Sequence, residues 1–379
     1  MAERVAPAGY ADRMIDDLRD RLVRAQEATR EAGIDALLVS PSSDLRYLTG
    51  YNAKALERLT CLVLPADGDP SLVVPRLERP AAMASPVGDL DLAVVAWDEN
   101  DDPYALAATR IPSDAAVVAV DNHMWAEKVL AFSTAIPKAE QRLASSVLAP
   151  LRMRKSAAEV AELRAAGAAI DRVHANMTEW LRPGRTEHEV GRDIAHAIVA
   201  AGHEEADFVI VGSGPNSASP HHELSERRIE PVVDIGGSMA SGYGSDSTRT
   251  YVAGGEPPTD FVTYYAVLQA AQDAQCAAVR PGVSAESVDA VGRQLIAAAG
   301  YGEAFFHRTG HGIGLETHED PYIVDGNSLP LEPGMAFSVE PGIYLDGKHG
   351  ARIEDIVVVT EDGVERLNNA SRDLTILPG

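Results

Sequence analysis

The sequence predicts a two-part chain. An α/β domain occupies residues 1–150, and an α+β domain with internal pseudo-two-fold symmetry occupies residues 151–379. Three observations lead there. Short apolar runs alternate with helical stretches in the first part. SSVLAPLRMRKSAAEV reads as the boundary between the parts, with a capping box at its end. Beyond it the chain repeats itself, without a gap, at an offset of 98 residues.

In the first part, Ala11 to about Gly33 reads as an amphipathic helix, and DALLVS (Asp35–Ser40) as a buried strand. LTCLVLP, PSLVVP, LDLAVVAW and AAVVAV follow as further strands of a mixed or parallel sheet. DLRYLTGY (Asp44–Tyr51) reads as a loop or helix start, and as a packed surface turn sooner than part of a site. No catalytic motif is visible in this part.

The second part opens with a helix near Ser156, where Glu159 completes a capping box. Val160, Leu163, Ala166, Ile170, Val173 and Met177 recur at helical spacing, and LRPG is expected to end the helix. The repeat then begins at Leu181 and again at Val279. Arg182, Pro183, Gly184, Val190, Ile198, Ala201, Gly202, Glu205, Ala206 and Phe208 recur as Arg280, Pro281, Gly282, Val288, Ile296, Ala299, Gly300, Glu303, Ala304 and Phe306. Each copy reads as helix, RPG turn, helix, then strands. Two copies are too few for a solenoid, so a pseudo-two-fold pair of joined sheets is expected.

The strands after each copy carry acids. Asp234 and Asp246 lie in VVDIGGSMASGYGSDSTRT, on the two arms of a hairpin. Glu340 in FSVEPGIY and Glu354 in ARIEDIVVV stand at corresponding places in the second copy. A two-fold would bring both pairs together, and four buried carboxylates need protons or a cation between them. HRTGHGIGLETHED adds an imidazole at His311, and PHHE and THED place His221 and His318 at matching points of the halves. Carboxylates with one histidine suit Mn, Co, Fe or Zn, and this set suffices for two ions sharing ligands. The competing reading has the acids capping helices, pairing with Arg249 and Arg352, or facing solvent.

Composition narrows the function. Thirty-three basic against 57 acidic residues give a formal charge of −24, which argues against nucleic acid or an anionic membrane as partner. The N-terminal stretch has no apolar core with a small-residue cleavage site, and no apolar run is long enough to span a bilayer. Cys61 and Cys276 are in no metal-ligand spacing and read as free thiols in a reducing cytoplasm.

The order D-I-G, G-Y-x-S-D-x-T-R-T, G-H-G-I-G-L-x-x-H-E, E-P-G-I-Y, R-I-E-D resembles the pita-bread metallopeptidases, in the branch of prolidase and aminopeptidase P. The preceding domain resembles the creatinase-type N-terminal domain of that branch. The resemblance implies two divalent metal ions, manganese first and Co, Zn or Fe as alternatives. Asp234 would bind one ion, His311 and Glu340 the other, and Asp246 and Glu354 would bridge them. Glu340, His221, His318 and Arg352 would act on the substrate. Two features depart from the pattern. The interval from Asp234 to Asp246 is one residue wider than usual, and RIEPVVDIGG is short, which shortens the path from His221 to Asp234.

The resemblance further implies cleavage of the Xaa-Pro bond of short peptides, with an Xaa-Pro dipeptidase placed first. The alternatives are aminopeptidase P acting on longer peptides, or a hydrolase or lyase acting on a small amide or related substrate. It also implies a homodimer formed through the first domain, with DLRYLTGY near the partner's cleft.

Overall fold

The structure is a computed structural model of the chain. It describes residues 10–229 and 231–377, with the backbone alone described at positions 10, 11 and 231–234. The chain divides into two compact units, Met1–Arg152 and Met153–Gly379.

The first unit is built on strands β1 (Ala36–Val39), β2 (Cys61–Pro65), β3 (Ser71–Pro75), β4 (Ala93–Trp97), β5 (Val117–Val120) and β6 (Glu140–Leu143). Its helices are α1 (Tyr10–Glu31), α2 (Ser43–Thr49), α3 (Arg79–Ala84), α4 (Pro103–Ala108), α5 (Ala126–Ala135) and α6 (Ser145–Met153). The sheet order is β4-β3-β2-β1-β5-β6. β1–β2 and β2–β3 are antiparallel, and the other pairs are parallel, so the sheet is mixed. Leu38, Val63, Val73, Val118 and Phe132 pack one face. DLRYLTGY is a short helix with its end. Ser42 caps α2 by accepting from Leu45 N, and Gly50 closes it at φ 69°. β6 was not foreseen, because this edge strand is polar and largely exposed and carries no apolar alternation.

The second unit opens with α7 (Ala157–His174). Ser156 and Glu159 form the expected capping box. The helix stops earlier than LRPG. Asn176 turns its side-chain amide onto Arg172 O at 2.9 Å, and its own N–H bonds Val173 O. That side-chain competition ends the regular ladder, and Met177 falls in a separate 3₁₀ turn. The RPG turns follow as predicted, with Gly184 and Gly282 at φ 89° and 84°, a conformation that favours glycine. They lead into α8 (Glu187–Ala200) and, after α9 (Thr259–Ala278), into α10 (Ala285–Ala298). The two post-turn helices start 98 residues apart, as the repeat requires.

The remaining strands are β7 (Glu205–Ser213), β8 (Pro231–Ser238), β9 (Gly244–Ala253), β10 (Gly310–Gly312), β11 (Glu319–Ile323), β12 (Ala336–Val339), β13 (Gly342–Leu345), β14 (His349–Arg352), β15 (Asp355–Val359), β16 (Val364–Arg366) and β17 (Thr375–Leu377). They form sheets ordered β17-β9-β8-β7 and β11-β10-β12-β15-β16, with β13-β14 as a ribbon. The copies differ after their helices. The residues matching the start of β7 form a 3₁₀ turn, Gly302–Ala304, in the second copy. β9 is tied to the end of β14 and the residue after it, where Glu354 N donates to Thr248 O at 3.1 Å and Thr250 Oγ1 to Arg352 O at 2.9 Å. Among the described residues, no helix is long and apolar enough to cross a membrane.

Candidate metal centre

β9 is buried along Gly244–Tyr251, yet it reads Gly-Ser-Asp-Ser-Thr-Arg-Thr-Tyr. Burial of so polar a strand is tolerable only if its side chains are satisfied. Ser245 Oγ lies 2.8 Å from His203 Nε2, and Thr248 Oγ1 donates to Glu354 Oε2 at 2.7 Å. Arg249 donates to Asp355 Oδ1 and to Glu354 O, both at 2.6 Å. Arg249 therefore neutralises Asp355 rather than any of the four predicted acids. In the hairpin register Gly236 faces Asp246 and Asp234 faces Thr248. The side chain of Asp234 lies outside the described residues.

His311 sits on β10 between two glycines. A side chain at Gly310 or Gly312 would run into the backbone of Ser338 or Asp320, so the G-H-G pattern lets neighbouring strands close around the imidazole. Ser338 Oγ accepts from His311 N at 3.0 Å, and Glu340 N donates to Thr309 O at 2.8 Å, so Glu340 stands beside His311. Glu354 follows β14 and is held against β9.

Three buried groups converge. Ligand atoms of Asp246, His311 and Glu354 all lie within 4.8 Å of one another. His311 Nε2 is 3.7 Å from Asp246 Oδ2 and 3.2 Å from Glu340 Oε1. His311 Nδ1 donates to Gly312 O at 3.1 Å, so Nε2 is the ring atom that a neutral imidazole would offer to a cation. Two carboxylates and one imidazole nitrogen, with no thiolate, make a donor set suited to a borderline or hard divalent cation.

The electrostatics follow from this crowding. Burial lowers the His311 pKa, but Glu340 and Asp246 outweigh it and the net shift is upward. Burial raises the Glu340 pKa, but His311 and Arg352 outweigh it and hold the carboxyl well below its usual range. His318 is pushed down to about 4, first by burial and then by the charges of His311 and Arg308, so its ring is neutral at pH 7. The His311 and His318 rings are 4.0 Å apart between centroids. Arg352 Nε donates to Thr248 Oγ1 at 2.8 Å and stands 4.0 Å from Glu354 Oε2.

The centre opens into two lobes. One, of about 690 Å³, runs past Phe208, Val209, Ile210 and Leu224. The other, of about 540 Å³, runs past Pro220, Phe306, His307 and Arg308. His221, His311, His318, Glu340 and Arg352 line both. Asp246, His221, His311, His318, Glu340, Arg352 and Glu354 thus share one cleft despite the shortened segment before Asp234.

Residues 161–361 match metallopeptidase family M24, and residues 21–154 match the creatinase/prolidase N-terminal domain. The chain belongs to metallopeptidase family M24. Family membership implies divalent metal ions, and the buried donor set fits them. Among similar proteins is a probable dipeptidase PepE of Mycobacterium tuberculosis, 52% identical over 94% of this chain and 96% of that protein. An Xaa-Pro dipeptidase of Lactobacillus delbrueckii subsp. lactis is 37% identical over 94% of this chain and 99% of its own length. The crystal structure of dipeptidase PepE from Mycobacterium ulcerans superposes with TM-score 0.92 at 52% identity, covering 96% of this chain and 99% of that one. Prolidase from Thermococcus sibiricus superposes with TM-score 0.89 at 36% identity, covering 95% and 99%. The second unit of this M24 chain accordingly has the pita-bread fold.

Two functional positions escaped the sequence reading. Glu187, at the start of α8, is fully buried. It accepts from Ser213 N at 2.7 Å, Asn216 Nδ2 at 3.0 Å, His222 Nε2 at 2.8 Å, Ser225 N at 3.1 Å and Ser225 Oγ at 2.5 Å. It thereby fixes the loop that carries His221, and these bonds lower its pKa although burial opposes them. His307 lines the second lobe, with Nε2 3.0 Å from Tyr344 OH. His307 stands four residues before His311 in a histidine- and glycine-rich run, a signal that was legible. Glu187 had no such signal, because it reads as an ordinary acid in a helix first turn.

Proposed function

We propose that this M24 chain is a metal-dependent Xaa-Pro dipeptidase that takes short peptides with proline at the second position. The observation that carries the reading is the buried Asp246–His311–Glu354 cluster, with Glu340 and His318 beside it in one cleft. The high similarity to PepE dipeptidases and to an Xaa-Pro dipeptidase over nearly the whole chain sets the substrate class.

Asp234, Asp246, His311, Glu340 and Glu354 would hold two divalent ions, manganese first. Ions bound there supply an acidified water and Lewis acidity towards the scissile carbonyl. Glu340, 3.2 Å from His311 Nε2 and on the wall of the cleft, would carry the water's proton to the leaving nitrogen. His318, neutral at pH 7, donates a hydrogen bond to the carbonyl oxygen as charge develops on it. His221 lines the cleft from the Glu187-anchored loop and orients the substrate. Arg352 steadies Glu354 through Thr248. The first unit, residues 1–150 in the sequence reading, serves assembly as a homodimer in the cytoplasm, and catalysis stays in residues 151–379.

The test is a side-by-side assay of manganese-loaded protein on Ala-Pro, Ala-Pro-Ala and Ala-Ala. Cleavage of Ala-Pro well above the other two is expected. Preference for the tripeptide would replace the reading with aminopeptidase P.

A further inference from the structure

His318 has little of its own to hold it in the cleft. It is exposed, and it ends an irregular turn, residues 314–318, that leads from β10 into β11. Its ring lies against that of His311 but, among the described residues, makes no hydrogen bond. Such a ring is only as well placed as the backbone beneath it, and catalysis is sensitive to small misplacements.

The next residue is fixed on the other side of the chain. Neighbouring side chains of an extended segment point to opposite faces. Glu319 opens β11 opposite Gly312, and its carboxylate is buried. Lys155 Nζ donates to Glu319 Oε1 at 2.7 Å, and the lysine side chain is only 1% exposed. Gly314 makes room for the pair, since a Cβ there would stand 2.7 Å from Glu319 Oε1. Lys155 is itself pinned. It directly precedes Ser156, the cap of α7, and its N–H donates to Gly334 O at 2.9 Å. Neither member of the pair lines either lobe of the cleft. A buried ion pair adds little net stability, because desolvation offsets the attraction. A charged hydrogen bond does fix geometry, and this one ties the start of α7 to the backbone under His318 across 164 positions.

We propose that Lys155 is a positioning residue for the reaction: through its ion pair with Glu319 it sets where His318 meets the scissile carbonyl. The inference deepens the dipeptidase reading and rests on it, including the role given there to His318. Lys155 touches neither the substrate nor the metal cluster. Without its charge the turn at residues 314–318 loses its anchor, and the ring is presented in more than one place. Metal and substrate still bind, and turnover falls.

The experiment measures Ala-Pro cleavage and bound manganese in the loaded wild type, Lys155→Met and the double variant Lys155→Met/Glu319→Gln. The single variant leaves a buried carboxylate unpaired and loses stability. The double variant is neutral and close to isosteric, so it carries the test where the single one does not fold. Each folded variant should keep its manganese and lower kcat about 10–100-fold, with KM changed less than about threefold. A double-mutant cycle then asks whether the loss passes through His318. With His318→Ala already in place, Lys155→Met/Glu319→Gln should cost less than about threefold more, because no ring remains to be misplaced. A merely structural role would take its full toll in that background too. An undiminished kcat in the neutral double variant, a full further loss on top of His318→Ala, or manganese lost together with activity overturns the proposal alone. Failure of the loaded wild type to cleave any dipeptide overturns the dipeptidase reading, and the proposal with it.

Discussion

The two halves of the second unit solve one problem by different means. Each must hold a site-bearing loop against its second helix, and each uses a buried carboxylate to do so. In the first half Glu187 opens α8 and takes its five hydrogen bonds from neutral donors and the His222 ring, spread along Ser213–Ser225. In the second half Asp289 lies one turn into α10 and divides its bonds between Thr309 and a two-pronged pair with Arg293, both prongs at 2.8 Å. Arg293 itself donates to Phe305 O at 3.0 Å and His307 O at 2.8 Å. The first anchor is a carboxylate without a strong counter-charge, and it grips a long loop. The second is an ion pair that locks a short one. The pseudo-symmetric fold repeats the device, while the local chain decides how it is neutralised.

The largest break in the comparison comes from the centre that both halves build. Asp246 is the first half's contribution, and His311 and Glu354 are the second's. Asp246→Ala or Glu354→Ala should each strip most bound metal and more than about 10³-fold of turnover. Asp234→Ala should lose less metal, because it would remove a ligand of one ion only. Metal content by atomic spectroscopy, set beside activity, tests this. Equal metal loss in all three variants would remove the bridging assignment.

Next in size is His318. Its substitution by alanine should leave metal content intact and lower kcat roughly 10²–10⁴-fold, the range for lost acid–base or oxyanion groups. Metal lost along with activity would make His318 a ligand instead of a substrate contact.

The anchors themselves should part company. Asp289→Asn leaves Arg293 partly unpaired in the interior and should cost about 2–4 kcal/mol of stability in chemical denaturation. Glu187→Gln faces an amide N–H₂ towards donors and should loosen the His221 loop. We expect roughly tenfold lower kcat/KM at unchanged metal content, for a stability loss of about 1–3 kcal/mol. If Glu187→Gln proved the more destabilising of the two, charge pairing would not be what distinguishes the halves.

The smallest effect concerns pH. His174 is buried in the first half, with Nδ1 2.8 Å from Tyr251 OH, and its pKa falls to about 3, chiefly through burial and then through Arg249. The unfolded ring takes up a proton near pH 6.5 while the folded ring does not, so stability falls as pH drops through that value. One such histidine removes about 2 kcal/mol between pH 7 and pH 5, and the loss continues down to the folded pKa. Denaturation midpoints of the wild type and His174→Gln at both pH values test the difference. A wild-type decline that His174→Gln does not shrink would place the acid sensitivity elsewhere.

Most of the centre was legible because its chemistry admits few residue types. Carboxylates and imidazoles had to recur at matching places of a doubled unit, and the 98-residue offset revealed the doubling. The capping box at Ser156, the RPG turns and the β8–β9 hairpin were equally local signals, set by capping bonds, a fixed proline φ and glycine's freedom. Where a local signal was weak or had a competitor, the reading failed. Asn176 ends α7 before the proline, and β6 is an exposed edge without apolar alternation.

By itself, then, the sequence determined the two-part α/β and doubled α+β plan and the residues able to bind metal. Partners were decided only by tertiary structure. Thr248 meets Glu354 across 106 positions and Arg249 meets Asp355 across 106, while Glu187 closes on Ser225 across 38. A buried charge is tolerable only through the particular groups that replace its water, and those groups come from distant parts of the chain. For the same reason Arg308 could be read as a cation from the sequence. Only the folded chain stacks it on Tyr322 and sets it at the wall of the smaller lobe.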